Sequence, residues 1–108
     1  MQATFVQQGD GVDFLAGGDV NRGDVVVQGD LVGIATADVA NGGTGTITVE
    51  GVFDVVKDSS ISISAGAKVY WDAVNSQAVT TATGNKLIGK AVEAAGSGAT
   101  LVRVRLSQ

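Results

Sequence analysis

Short runs of β-branched residues, cut by glycine every few positions, constrain this chain more than any other feature. Valine is its commonest residue, with eighteen copies, and sixteen glycines punctuate it. Val, Ile and Thr are stiff at χ1 and favour a pleated surface. Glycine supplies the backbone freedom that tight turns require. No stretch carries the 3.6-residue apolar period of a long amphipathic helix. The chain therefore reads as all-β, a small single-domain β-barrel or sandwich of short strands with little helix. Its 108 residues fit one domain. Large side chains are few, so the core is thin and gains from a partner or from self-association.

Turn and alternation signals divide the chain. Residues 1–8 read as an N-terminal arm or first strand, and residues 9–108 as the β-domain. Within the domain, Val12–Leu15, Val25–Gln28 and Leu31–Thr36 read as strands, with Gly29-Asp30 as a hairpin turn. Asn41-Gly42-Gly43-Thr44-Gly45 is the strongest turn signal, and Thr46–Glu50 after it alternates with Ile47 and Val49 on one face. Val52–Val56 follows. Ser60–Ser64 alternates too and fits either a strand or one helical turn. Lys68–Asp72, Ala78–Thr81, Leu87–Glu93 and Thr100–Leu106 complete the set. In the last strand Val104 and Leu106 define the buried side, and Arg103 and Arg105 lie on the opposite face.

An internal repeat runs through this series. Leu31-Val32-Gly33-Ile34-Ala35 is echoed by Leu87-Ile88-Gly89-Lys90-Ala91, and each continues through a Gly-rich turn into an alternating strand. Upstream, Arg22–Val27 resembles Ala65–Tyr70, and the second copy carries an extra hairpin near Asp72–Lys86. Two pseudo-repeated β-units are expected, with the glycine inside each Leu-x-Gly strand marking a bulge or a close backbone approach.

Composition removes most chemistry. Without cysteine or histidine there is no disulfide framework, no thiolate or imidazole metal site and no His-dependent triad. The formal charge is −4, with seven scattered cations, which argues against binding nucleic acid. No apolar run approaches a membrane span, and the first residues lack a signal peptide's basic and apolar regions, so a soluble protein made in a cytoplasm is expected. Gly42–Gly45 opens a strand rather than the helix a phosphate loop needs. The aspartates at 10, 13, 19, 24 and 30 lack calcium-loop spacing and sit beside turns, where Asp is favoured. Arg22-Gly23-Asp24 reads as a strand entry rather than an adhesion tripeptide. No local pattern supports a Ser-Lys catalytic pair, so no enzyme activity, cofactor or metal is expected.

The residues left for binding are few. Tyr70 and Trp71 are adjacent, so on a strand they face opposite sides, one to the core and one half exposed at an interface. Arg103 and Arg105 could meet an acidic partner or pair with neighbouring carboxylates on a solvated face.

Several blocks together carry a family resemblance. They are Phe5-Val6-Gln7-Gln8-Gly9, Gly23-Asp24-Val25-Val26-Val27, Lys68-Val69-Tyr70-Trp71-Asp72, Leu87–Ala95 and Val102–Leu106. Across nearly its whole length the chain resembles the capsid decoration, or cement, proteins of tailed phages and prophages. Members are often mislabelled as RecA/RadA-type recombinases. The residues here contradict that label, since there is no phosphate loop and far too little chain. The resemblance implies a β-rich virion structural protein on the capsid exterior, made in the bacterial host cytoplasm. It implies a homotrimer that binds the major capsid protein and stabilises the shell, with no nucleic acid and no membrane as partner. Phe5 and Val6 in the arm are the candidate capsid contacts, and Tyr70, Trp71, Arg103 and Arg105 the candidate interface residues. The competing reading is a carbohydrate- or host-binding β-module from a phage tail or secreted assembly, centred on Trp71.

Overall fold

The computed structural model describes Gln2 and residues 10–107. Among these residues there are nine strands and no helix. They are β1 (Gly11–Leu15), β2 (Val25–Gln28), β3 (Leu31–Ala35), β4 (Thr44–Thr48), β5 (Gly51–Val56), β6 (Lys68–Asp72), β7 (Gln77–Val79), β8 (Lys86–Ala91) and β9 (Leu101–Leu106). Every strand pairing is antiparallel, in two sheets of order β1-β4-β3-β2 and β5-β9-β8-β6-β7.

The two sheets follow the same path. β1, β2, β3 and β4 correspond in order and pairing to β5, β6, β8 and β9, so the sequence repeat is a structural one. The correspondence extends to single hydrogen bonds. Val20 and Val39 exchange both backbone bonds at 2.8 Å, as do Ile63 and Ala95. Gly23 N–H donates to Ala35 O and Ala35 N–H to Asp24 O, and Gly66, Ala91 and Ala67 repeat the pattern.

Gly33 and Gly89 occupy equivalent places, and both are forced by close approach. A Cβ on Gly33 would lie 2.9 Å from Ile47 Cβ and from Thr48 O. On Gly89 it would lie inside contact distance of the Arg105 carbonyl, at 1.9 Å. A bulge accompanies the second approach. Val69 pairs with Gly89 and Tyr70 with Leu87, which leaves Ile88 as the extra residue.

The second unit departs from the first through its inserted hairpin. β7 pairs with β6, and Ala78 also bridges in parallel to Lys57 at the end of β5. The five-stranded sheet thus curls round until β7 meets the end of β5. Its interior is the main core, built on Val55, Ile63, Val69, Ile88, Val102 and Val104. Val32, from the first sheet, is part of that core, and Val25 packs against it. Residues 31 and 32 face opposite sides of β3, and Leu31 belongs to a smaller cluster around Phe14, Ala16 and Ile47. The first sheet therefore has a thin core of its own and lends its other face to the second.

Some boundaries differ from the sequence expectation. The strand expected at Thr46–Glu50 lies at Thr44–Thr48, because Leu15 pairs with Thr44 and draws the register two residues back into the Gly-rich stretch. The alternating Ser60–Ser64 segment is neither strand nor helical turn. Only Ile63 is bridged, and the preceding loop is fastened by the Asp58 carboxylate, which accepts bonds from Ser60 N–H and Oγ. The Gly29-Asp30 hairpin turn is present, with φ +62° at Gly29.

Candidate functional site

The outer face of the five-stranded sheet carries two of the sequence-derived candidates, Arg103 and Arg105. Along β9, Val102, Val104 and Leu106 are buried while Leu101, Arg103 and Arg105 are exposed. The pairing of β9 with β5 sets Asp54 directly opposite Arg103. The guanidinium grips the carboxylate with two bonds, Nε to Oδ1 at 3.0 Å and Nη2 to Oδ2 at 3.3 Å, and reaches Glu93 Oε1 at 3.3 Å. These bonds hold the Asp54 carboxyl below its ordinary range and push the guanidinium further up. Arg103 is thereby paired with two carboxylates of its own chain.

Arg105 is placed differently. Its neighbours across the strands are Val52 on β5 and Lys90 on β8. Among the described residues it has no carboxylate within ion-pair distance. The next strand adds Lys68 opposite Lys90. Exposed apolar groups lie on two of these strands, β5 and β9. Val52 is 54% exposed, and Val56 and Leu101, directly opposite each other, are 55% and 50% exposed. Lys68 and Lys90 were not singled out from the sequence. Their alternation signal was present, but bringing them beside Arg105 required the strand order.

Tyr70 and Trp71 occupy opposite sides of β6 as expected, yet neither ring is fully buried. Trp71 packs against the main core and lines a groove of about 890 Å³ between the sheets. Val25, Ile34 and Phe53 share that lining, with Arg22 and Asp54 also on it. Trp71, the centre of the carbohydrate reading, is half-buried on the core. Phe5 and Val6 lie outside the described residues. The strand after that segment, β1, is an edge strand, and its Leu15 is 71% exposed.

The remaining polar groups are occupied with structure. Lys57 is 3% exposed, and its Nζ donates to the carbonyls of Asp58, Ile61 and Ala99. Asp72 accepts from Val74 N–H, Asn75 N–H and Asn75 Nδ2 and so pins the β6–β7 turn, where Ser76 takes φ +53°. Among the described residues no buried side-chain polar atom lacks a partner, and no three carboxylates converge as a metal cage.

This all-β body agrees with the comparison with family models. The model of the phage cement protein family matches residues 6–106. The chain belongs to the phage cement protein family. The comparisons with curated proteins and with solved structures each gave no match. A capsid-associated structural role is the family's role, and the all-β body of this cement protein suits it. The match begins at Val6, one residue after Phe5.

Proposed function

We propose that this cement protein binds the outer surface of a phage head as a homotrimer, touches the major capsid protein and stabilises the shell against the pressure of packaged DNA. The observation that carries the reading is the family match over residues 6–106. Physics supports it. A cement needs no catalytic group, only a stiff body that bridges neighbouring capsid subunits. Each contact can be weak, because a symmetric assembly engages several subunits at once and the contacts multiply through effective concentration.

Phe5 and Val6 are the proposed apolar anchors to the capsid, carried on the N-terminal arm ahead of β1. Tyr70, Trp71, Arg103 and Arg105 are the proposed interface residues, and Arg105 leads them because Arg103 is already paired. Synthesis in the bacterial host cytoplasm and assembly onto the exterior follow from this role.

The test is quantitative mass spectrometry of purified particles, with this chain counted against the major capsid protein. A near-stoichiometric ratio is expected. A few copies per particle would move the protein to the tail, and absence from particles would end the proposal. Phe5→Asp with Val6→Asp is expected to abolish binding to undecorated heads while leaving the melting curve of the free protein unchanged.

A further inference from the structure

The repeat allows the same sheet face to be compared in two settings. In the first unit a row across the strands reads Val25, Ile34, Thr48 and Gly11, from β2 through β3 and β4 to β1. It is neutral, and at its Val25 end it packs against the second unit's core. In the second unit the equivalent row reads Lys68, Lys90, Arg105 and Val52, from β6 through β8 and β9 to β5. Three cations stand on three adjacent strands, about 5 Å apart per step, and all three are exposed. Like charges directly opposite one another oppose the sheet that holds them. Among the described residues none of the three has an ion-pair partner, because Asp54 and Glu93 are taken by Arg103.

Charge is partitioned along the chain to match. Residues 10–50 carry seven carboxylates against Arg22 alone, and all seven are exposed. Residues 51–108 carry six cations against four carboxylates. The first unit thus carries most of the acidic charge, and the second presents a row of cations without ion-pair partners beside exposed Val52. The partner that fits such a row is acidic, and a second copy of this chain supplies that surface.

We infer that the Lys68–Lys90–Arg105 row is the docking surface for the acidic first unit of another copy, in a head-to-tail contact. Such a contact uses two different patches and closes into a ring when the rotation permits. The inference deepens the self-association within the proposed function and rests on that part alone, not on attachment to the shell. It also gives the face a use consistent with the fold, since the equivalent face of the first unit already serves as a packing surface.

The test is sedimentation velocity of the full chain across ionic strength, with binding to undecorated heads measured in parallel. The wild type is expected to associate at about 50 mM salt and to dissociate toward monomer at about 500 mM. Lys90→Glu is expected to weaken association by about tenfold or more, and Lys90→Gln by less, with melting temperatures not lowered, since both changes relieve the repulsion within the row. Arg22→Glu, the same charge change made on the acidic unit, should not weaken it. Association that ignores salt and the Lys90 variants would overturn the surface while leaving self-association standing. A wild type that is monomeric at every salt yet decorates heads would overturn the inference and leave the shell reading intact. A Lys90→Glu protein that self-associates normally but fails to bind heads would turn the row toward the shell, and would equally overturn it.

Discussion

The two sheets share a path and a glycine-centred central strand, yet one closes and the other stays open. In the second unit the β6–β7 hairpin carries the sheet round until Ala78 bridges Lys57, and the enclosed interior holds most of the buried side chains. The first unit lacks that hairpin and keeps a core of three buried residues. It makes up the deficit by giving Val32 and Val25 to its neighbour's core. The inserted hairpin thus goes with the larger core, and the two units share that core rather than each standing alone. The open unit is also the acidic one, and the closed unit carries the cationic face.

The sharpest way to break the comparison is through the paired glycines. At Gly89 an added Cβ would meet the backbone carbonyl of Arg105, which cannot retreat without disrupting the β8–β9 ladder. Gly89→Ala is expected to cost about 4 kcal/mol or more, the range reserved for severe overpacking. At Gly33 the nearest atoms are 2.9 Å away, and two of them belong to the Ile47 side chain. Gly33→Ala is expected to cost about 1–3 kcal/mol. Denaturant titration of both variants checks the order, and equal losses would mean that the two strands are under equivalent constraint despite the closer approach at Gly89.

A second pair probes the cores at the matching bridges. Ile63 is 1% exposed inside the closed unit, while its counterpart Val20 is only partly buried on the small cluster. Ile63→Ala is expected to lose about 3 kcal/mol and Val20→Ala about 1 kcal/mol, the difference reflecting both the completeness of burial and the extra carbon that Ile63 loses. If Val20→Ala proves as costly as Ile63→Ala, the open unit is more tightly packed than its exposure implies.

Lys57 sharpens the contrast at one position. Its counterpart in the first unit is Ala16, since Ala16 N–H donates to Gly43 O as Lys57 N–H does to Thr100 O, and both residues are 3% exposed. The second unit has a longer loop after this position, and the ammonium gathers the carbonyls of Asp58, Ile61 and Ala99 to hold it. Lys57→Met keeps the stem and removes the donor, and is expected to cost about 2–3 kcal/mol. The loss would show as a lower denaturant midpoint and as faster amide exchange near Ala99.

How much of this was legible in the sequence depends on the range of the interaction. The all-β class, the repeat, the Gly29 turn and the outward face of Arg103 are written locally, in alternation and turn chemistry. Gly33 and Gly89 could be read as close approaches because a glycine inside an apolar strand has few other uses. The closure of the second sheet could not be read, because the Ala78–Lys57 bridge joins residues with no shared local pattern. Lys57 itself looks like any surface lysine until the loop around it is folded. The row of Lys68, Lys90 and Arg105 needs the β6-β8-β9 order, which no single strand contains.

The smallest effect belongs to the Arg103 cluster and to acid. Asp54, bonded by Arg103, Asp58, bonded by Ser60, Asp72, bonded by Asn75, and Asp30, bonded by Lys86, all have carboxyls held below the usual aspartate range. A group whose folded pKa is depressed contributes its full stability above the unfolded value and loses it as pH falls through the folded one. With no histidine in the chain, no side chain titrates near neutrality at its ordinary pKa. Stability is therefore expected to be flat from about pH 8 to pH 5 and to decline only below about pH 4, where these carboxylates take up protons. Asp54→Asn should leave the plateau almost unchanged, because both partners are about half exposed to solvent and exposed pairs contribute little. It should flatten the acid limb slightly, since one depressed carboxylate has been removed. Melting temperature measured against pH reads both effects. A drop on the neutral plateau would mean that the Arg103 bonds fasten β5 to β9 more strongly than the backbone ladder alone.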